Sequence, residues 1–265
     1  MAIKMIKLVA SDIDGTLIPE RQNNLNPAIY QIIRELKKKD ILFVAASGRQ
    51  LDSQKLLFAP VADDISYISE NGAICMHEGR QYVISEFERD FAMRIIEEVE
   101  KRPNCKLAIS TSSTQYIKSN DEEFYDHMTN HLKYNITTID SFQDITEPIV
   151  KIAFLDVVTT QESYEYFKSL FGNEIKIANA GNQWIDFIPF NSNKGTALKF
   201  ILKKKKLTSA EAISFGDQQN DLEMLAFTEM SFAMAHSKPE IQAHATHTTN
   251  SVEKTLCELF EIDLI

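Results

Sequence analysis

Cysteine is scarce in this chain, and the few cysteines form no recognisable pattern. Among 265 residues there are three, Cys75, Cys105 and Cys257, and none belongs to a CxxC pair. An odd number of widely separated cysteines argues against both a disulfide framework and a zinc cluster. The sequence therefore favours a reducing compartment, and we expect a cytoplasmic protein.

The chain also has fewer basic than acidic residues, and it has no long apolar run. Lys and Arg number 28 against 38 Asp and Glu, which gives a net charge of −10. Because nucleic acids bind to basic surfaces, no nucleic-acid partner is expected. No apolar stretch approaches the ~20 residues that cross a bilayer, and the start of the chain lacks a signal peptide's apolar region, so no membrane partner is expected. A local pocket on an acidic protein can still bind a small phosphorylated molecule.

What the chain does contain, at both ends, is an alternation of apolar strands with amphipathic helices. Such alternation predicts an α/β fold with a Rossmann-like, doubly wound parallel sheet. The predicted strands are Met5–Ser11, Ile41–Ala46, Tyr67–Ser69, Ala212–Phe215 and Met230–Met234, and helices are expected to begin near Asn26, Lys194 and Asp221.

The middle of the chain has a different pattern, a helix followed by two strands, which occurs twice. The first helix is expected over Asp90–Arg102 and the second over Thr160–Phe171. We interpret residues 83–187 as a second, α+β domain inserted into the first. Residues 1–82 and 188–265 then form one domain that is discontinuous in sequence, an arrangement tolerated where the ends of the inserted segment lie close together.

Polar residues follow four of the predicted core strands. In open parallel sheets a ligand binds beyond the carboxyl ends of the strands, so these four loops are expected to meet at one crevice. The four groups are Asp12 with Asp14, Ser47 with Gly48 and Arg49, Asn71, and Asp217 with Asn220 and Asp221.

The acidic residues of these loops suit phosphoryl transfer assisted by a hard cation. The carboxylates of Asp12 and Asp217, together with a backbone carbonyl, suit Mg²⁺, which prefers oxygen ligands, and the predicted metal-binding residues are Asp12, Asp14 and Asp217. Asp12 is then placed to attack phosphorus in line and to form an aspartyl-phosphate. Asp14 is placed to protonate the leaving oxygen and later to take a proton from water. An EF-hand calcium loop starting at Asp12 is excluded, since it would need glycine and glutamate where the chain has Leu17 and Asn23.

The phosphate group is expected to be held by donors from several loops. Each of these residues also has a simpler explanation, such as a helix cap, a turn or an exposed side chain, and only their joint placement favours a site. The predicted phosphate-binding residues are Ser47, Gly48 through its backbone N–H, Lys194 and Asn220, and the predicted supporting residues are Arg49, Asn71 and Asp221.

The four groups resemble the motifs of the haloacid dehalogenase-type phosphatases. Asp12–Leu17 is similar to the first motif, Ser47–Arg49 to the second, Lys194–Gly195 to the third and Gly216–Asp221 to the fourth. The insert between the second and third motifs resembles the α+β cap of the Cof-like subgroup, type IIB, and the Glu70–Ala73 run is also typical of that subgroup. This resemblance implies that residues 83–187 form a cap that selects the substrate and that residues 1–82 and 188–265 form the catalytic core. The resemblance implies a Mg²⁺-dependent hydrolase of small phosphorylated metabolites such as sugar phosphates. It also implies Asp12 as nucleophile, Asp14 as general acid/base and Asp217 as metal ligand.

One segment departs from the subgroup's pattern. After the last core strand the subgroup usually has a Met-Gly-Asn-Ala turn, whereas this chain has Met234-Ala235-His236-Ser237. A histidine at the surface, or one with a local hydrogen bond, is the expectation here.

Other functions share parts of the pattern. A phosphosugar mutase uses the same pair of aspartates and differs in returning the phosphoryl group to a sugar. A non-enzymatic phospho-accepting or phosphate-binding regulatory protein also places an aspartate after a parallel strand, although such domains are far shorter and lack a large insert. A nucleotide-binding dehydrogenase is disfavoured because no G-x-G-x-x-G follows the first strand.

Overall fold

The computed structural model of the chain describes residues 6–19, 22, 24–131, 134–181 and 183–264, and Met5, the start of the predicted first strand, lies outside them. The chain forms two compact units. One comprises Met1–Ile84 with Asn193–Ile265, and the other Ser85–Ser192, whose ends differ by a few residues from the predicted insert 83–187. None of the described helices has the length and apolar character of a membrane span.

The described part of the chain contains both strands and helices throughout. The strands are β1 (Leu8–Asp12), β2 (Leu42–Ala46), β3 (Ile65–Ser69), β4 (Ile74–His77), β5 (Arg80–Val83), β6 (Cys105–Thr111), β7 (Gln115–Lys118), β8 (Ile136–Ile139), β9 (Ile149–Asp156), β10 (Ile175–Gly181), β11 (Trp184–Pro189), β12 (Ala212–Gly216), β13 (Met230–Met234) and β14 (His247–Thr249). The helices are α1 (Ala28–Lys38), α2 (Leu51–Leu57), α3 (Arg89–Glu100), α4 (Glu122–Asp126), α5 (Thr160–Phe171), α6 (Lys194–Lys205), α7 (Leu222–Phe227), α8 (Pro239–Gln242) and α9 (Val252–Phe260).

The first unit is built on an eight-stranded sheet in the order β14-β13-β12-β1-β2-β3-β4-β5. All pairs from β14 to β3 are parallel, and β4 and β5 add to the edge as an antiparallel hairpin. The parallel α/β sheet predicted from the sequence is therefore confirmed. The hairpin was not predicted, because β5 is largely exposed and begins with the polar pair Arg80-Gln81, so it lacks an apolar strand pattern.

The core strands of this sheet are mostly apolar because helices cover both faces. In β1, Leu8 and Ala10 belong to a core cluster with α6, while Val9 belongs to the cluster on the opposite face with α1 and α9. Successive strand residues point to opposite faces, so a strand covered on both sides carries apolar residues on both of its faces. The helices on both faces hold the sheet in place, and the sheet positions the loops at the carboxyl ends of β1, β2, β3 and β12.

The second unit has a six-stranded sheet in the order β10-β11-β9-β6-β7-β8, antiparallel except for the parallel pair of β7 and β8. Helices α3 and α5 pack with this sheet around one apolar cluster. The predicted helix-strand-strand repetition is found as α3-β6-β7 and α5-β10-β11. After α4 the chain continues in a π-helical turn, His127–His131. That the two units act as catalytic core and cap stays a prediction.

Candidate active site

A buried lysine joins two aspartates from different loops of the first unit. Lys194, the first residue of α6, is fully buried, and its Nζ donates hydrogen bonds to Asp12 Oδ1 at 2.5 Å and to Asp221 Oδ1 at 2.6 Å. Asp12 ends β1, and Asp221 lies directly before α7. Asp217, just after β12, completes the cluster, since one carboxylate oxygen each of Asp12, Asp217 and Asp221 lies within 4.8 Å of the others. The structure thus brings four of the residues that were predicted for the site into one buried cluster.

Burial and crowding of like charges dominate the electrostatics of this cluster. Burial raises the pKa of Asp12 well above its ordinary value; Lys194 opposes the shift, while Asp221 and Asp217 add to it. Burial and the Asp221 charge likewise raise the pKa of Asp217, against the hydrogen bond from Thr16 and the charge of Lys194. Burial disfavours the charged form of Lys194, but Asp12 and Asp221 more than offset this and its pKa is raised. Three carboxylates share one ammonium group, so the site has an excess of negative charge.

Two carboxylate oxygens of the cluster remain open to a cation. Both oxygens of Asp221 are engaged, because Oδ1 binds Lys194 and Oδ2 accepts from the backbone N–H groups of Asp217 and Gln218 at 2.9 and 3.0 Å. In contrast, Asp12 Oδ2 is buried and has no hydrogen-bond partner among the described residues. Asp217 uses Oδ1 to accept from Thr16, which leaves Oδ2. A buried, unpaired anionic oxygen beside a second carboxylate fits a hard divalent cation.

The turn after β1 brings the backbone close to Asp217. Gly15 has a φ of +87°, and a Cβ at this position would lie 2.2 Å from Asp217 Oδ2. Thr16 Oγ1 donates to Asp217 Oδ1 at 2.9 Å, so the loop holds the carboxylate from two sides. No role was predicted for the Thr16 hydroxyl.

Replacing Gly15 with Ala is therefore expected to impair both stability and activity. The left-handed backbone and the clash with Asp217 together should destabilise the protein by about 1–3 kcal/mol. Displacement of the carboxylate should lower kcat/KM by about 10²-fold. Thermal unfolding and steady-state kinetics measure the two effects.

Gly79 provides the matched control for this substitution. It also has a positive φ, +71°, but a Cβ there would contact nothing within 4 Å. Gly79→Ala should therefore show only the backbone cost, about 1–2 kcal/mol, with activity retained. Wild-type activity in Gly15→Ala would contradict the claim that the position of Asp217 matters.

Asp14 lies outside the buried cluster. Its side chain is 48% exposed, and its two oxygens accept from the guanidinium of Arg49, Oδ2 from Nε at 2.9 Å and Oδ1 from Nη2 at 2.6 Å. Residues two apart share a face only while the chain is extended, and here β1 ends at Asp12. The geometry therefore does not match the expected grouping of the Asp14 carboxylate with Asp12 and Asp217, and its roles as metal ligand and acid/base stay predictions.

The remaining predicted residues connect three loops of the same unit. Ser47 Oγ accepts from the backbone N–H of Arg49 at 3.1 Å, and Ser47 O accepts from the backbone N–H of Asn71 at 3.2 Å. Asn220 Nδ2 in turn donates to Asn71 Oδ1 at 3.0 Å. A Cβ on Gly48 would lie 3.0 Å from the same Asn71 oxygen. The loops after β2, β3 and β12 are thus linked by direct contacts, while phosphate binding by these residues stays a prediction.

Two contacts at the site were not anticipated from the sequence. Asp221, predicted only as a supporting residue, contacts Lys194 and caps the loop that carries Asp217. Its position three residues after Gln218 forms a capping box, a spacing that is readable in the sequence. His236 Nε2 lies 3.7 Å from Asp217 Oδ2. The turn that carries His236 is expected beside the loop of Asp217, because the two loops follow neighbouring strands, but no contact between these two side chains was predicted.

Comparison with known proteins agrees with this architecture. The sequence model of the haloacid dehalogenase-like hydrolases matches residues 9–255. The chain is 24% identical over 247 residues to the 5-amino-6-(5-phospho-D-ribitylamino)uracil phosphatase YbjI of Escherichia coli, covering 93% of this chain and 91% of that protein. Among solved structures, TM0651 from Thermotoga maritima matches with a TM-score of 0.83 at 21% identity, over 98% of this chain and 99% of that one. The subclass IIB sugar phosphatase BT4131 matches with a TM-score of 0.77 at 20% identity, over 97% and 100%.

Proposed function

Because the chain belongs to the haloacid dehalogenase-like hydrolases, as a phosphatase of their Cof-like type, we propose that it hydrolyses small phosphomonoesters through an aspartyl-phosphate on Asp12. The observation that carries this proposal is the state of the Asp12 carboxylate. Lys194 fixes Oδ1, and Oδ2 is buried with no hydrogen-bond partner among the described residues. An oriented carboxylate with one desolvated oxygen is suited to nucleophilic attack.

Mg²⁺ is the proposed cofactor, and Asp12 and Asp217 are the residues that would hold it. Their open oxygens are hard donors, which this ion prefers over nitrogen or sulfur. When bound, the cation neutralises part of the cluster's negative charge and allows a phosphate dianion to approach Asp12. Asp221, with both oxygens engaged, would orient Lys194 and the Asp217 loop.

The proposed reaction has two steps at phosphorus. In the first, one carboxylate oxygen of Asp12 forms a bond to phosphorus while the bond to the ester oxygen breaks, and Asp14 gives that ester oxygen a proton; the other oxygen of Asp12 would stay available to the cation. In the second, a water molecule attacks phosphorus, Asp14 takes its proton, and the bond to Asp12 breaks to release inorganic phosphate. For either step Asp14 must leave at least part of its pairing with Arg49, because that pair engages both of its oxygens.

Donors around Asp12 would bind the transferring phosphoryl group. Ser47 is buried, and its role as acceptor toward Arg49 leaves its own O–H available as a donor. With the Gly48 backbone N–H, the Lys194 ammonium and the Asn220 amide it would contact the non-bridging oxygens, where charge develops in the transition state.

Small phosphorylated metabolites of the cytoplasm are the proposed substrates. The name of the Escherichia coli relative describes a phosphate ester on a ribityl group, and that of the structural relative a sugar phosphate. Both support a preference for phosphorylated polyols or sugars. Substrate selection by the inserted unit, Ser85–Ser192, is part of the same proposal.

Metal removal provides the first test of the proposed function. Phosphate release should be measured with a panel of sugar and polyol phosphates, before and after treatment with a chelator. We expect release to stop on chelation and to return when Mg²⁺ is added back. Turnover that is insensitive to chelation would exclude the metal-assisted reaction, and transfer of phosphate to a second sugar position without release would identify a mutase.

Replacing Asp14 with Asn tests its role as the acid. An amide cannot protonate the leaving oxygen, so esters with poor leaving groups should slow by about 10²–10⁴-fold, and aryl phosphates with good leaving groups much less. Rates across a series of esters measure the difference. Arg49→Met serves as the comparison, since it removes the hydrogen-bond donor that pairs with Asp14 but leaves the carboxyl group of Asp14 in place. An equal loss for all esters would contradict the role assigned to Asp14.

A further inference from the structure

The turn after β3 has a left-handed backbone at three residues in a row. Glu70, Asn71 and Gly72 have φ values of +49°, +54° and +98°, and nowhere else among the described residues are three consecutive φ values positive. This region brings the Cβ of most residues too close to a carbonyl oxygen, so it costs free energy at Glu70, less at Asn71 and little at Gly72. Such a turn persists only where its surroundings hold it in place.

Backbone contacts on two sides hold this turn. The N–H of Asn71 donates to the carbonyl of Ser47 at 3.2 Å, in the loop after β2. On the other side, a Cβ on Gly72 would lie 2.2 Å from the carbonyl oxygen of Asn193, the N-cap of α6, so only glycine allows this approach. The turn is therefore fixed both to the loop after β2 and to the start of α6.

The Asn71 side chain contacts a residue to which the proposed function gives the phosphoryl group. Its Oδ1 accepts from Asn220 Nδ2 at 3.0 Å. The Asn71 amide is itself fixed, because it packs directly against Gly48, where a Cβ would lie 3.0 Å from Oδ1 and 3.1 Å from Nδ2 of Asn71. An amide nitrogen carries two hydrogens, so this bond fixes the direction of the Asn220 amide and leaves its second N–H for a phosphoryl oxygen.

We propose that Asn71 is a positioning residue of the active site, and that its left-handed turn fixes the direction in which the Asn220 amide donates to the phosphoryl group. The inference rests on the proposed function, which gives Asn220 that contact. A donor fixed in advance needs no reorganisation when charge develops on the phosphoryl oxygens, so its direction affects the rate more than the binding of substrate.

Asn71→Gly tests this role while the turn is retained. Glycine adopts the left-handed region at no steric cost, so the midpoint of thermal unfolding should stay at the wild-type value or rise. On the best substrate of the panel, kcat should fall by about 10²-fold and KM should change by less than about threefold, since the loss is in the transition state. A wild-type kcat, or a protein that no longer folds, would overturn the inference.

Glu261→Gly is the matched control for this substitution. Glu261 also has a positive φ, +50°, at the end of α9, and it is exposed. Its replacement should give a similar relief of the backbone in thermal unfolding and leave kcat unchanged.

A double-mutant cycle with Asn220→Ala separates positioning from a merely structural role. Asn220 is exposed, so its replacement should leave the fold intact. If Asn71 acts through Asn220, Asn71→Gly should lower kcat by less than about threefold once the Asn220 amide is absent. A loss of about 10²-fold in both backgrounds would mean that Asn71 acts independently of Asn220, and would overturn the inference.

Binding of orthovanadate in the presence of Mg²⁺ gives a readout that does not depend on turnover. Vanadium accepts a fifth oxygen ligand, so the bound ion resembles phosphorus in the transition state. Titration calorimetry should show vanadate binding to Asn71→Gly weakened by about tenfold or more, and binding of inorganic phosphate weakened by less than about threefold.

The same titrations distinguish failure of the inference from failure of the proposed function. Equal vanadate affinities of the wild type and Asn71→Gly would overturn the inference alone. Wild-type protein that releases no phosphate from any ester and binds no vanadate would overturn the proposed function, and the inference with it.

Discussion

Asp12→Asn is expected to abolish phosphate release while the protein stays folded. The amide has nearly the shape of the carboxylate, but it is a poor nucleophile and carries no charge for a cation. Loss of a nucleophile of this kind should lower kcat/KM by at least about 10⁴-fold. The measurement is phosphate release from the best substrate of the panel, with circular dichroism and thermal unfolding as checks on folding.

An exposed aspartate gives the control for this substitution. Asp90, in the first turn of α3, lies in the second unit, and Asp90→Asn should leave kcat/KM unchanged. Removal of the Asp12 charge also takes one carboxylate away from a crowded cluster, so the variant should unfold no more easily than the wild type in chelator. Turnover near the wild-type rate in Asp12→Asn would disprove its role as nucleophile.

Lys194→Met is expected to produce the largest loss of stability. Lys194 is fully buried, and its ammonium group compensates the charges of Asp12 and Asp221. Methionine retains much of the side-chain volume but leaves both carboxylates buried without their partner. Breaking a buried ion pair from one side costs about 3–5 kcal/mol, so urea unfolding in chelator should show a loss of this size.

Two comparisons separate the charge of Lys194 from its packing. Lys203→Met, on the exposed side of the same helix, should cost less than about 1 kcal/mol, the size of a helix-end charge effect. Added Mg²⁺ should restore part of the stability of Lys194→Met, because a bound cation again compensates Asp12. A loss below about 1 kcal/mol for Lys194→Met would contradict the view that the ammonium holds the cluster together.

The sequence predicted the sheet well where burial on both faces dictates the pattern. Strands β2, β12 and β13 match their predicted positions within a residue or so, since continuous apolar runs are the direct consequence of helices on both sides. Because the carboxyl ends of parallel strands lie at one edge of the sheet, the polar groups after the core strands could then be predicted to lie close together. Asp12, Lys194 and Asp217 could be grouped from the sequence for this reason, although Lys194 lies 182 residues after Asp12 in the chain and Asp217 lies still further along.

Features that depend on the exact direction of a side chain could not be predicted from the sequence. The chain turns directly after β1, and Asp14 therefore points to Arg49 instead of joining Asp12. The turn after β13 was expected beside the loop of Asp217, but the 3.7 Å distance between His236 Nε2 and Asp217 Oδ2 depends on side-chain direction and was not predicted. The β4–β5 hairpin was missed because an exposed edge strand needs few apolar residues.

Acid quenching during turnover tests the central claim, a covalent intermediate on Asp12. Asp14→Asn is the best form for this experiment, since loss of the base should slow hydrolysis of the aspartyl-phosphate and let it accumulate with an aryl phosphate of good leaving group. Peptide mass spectrometry of the quenched protein should then find one added phosphoryl group on the peptide that contains Asp12, absent when Asp12→Asn is introduced as well. A phosphoryl group on any other residue, or a burst of released leaving group with no phosphorylated peptide, would contradict the proposed mechanism.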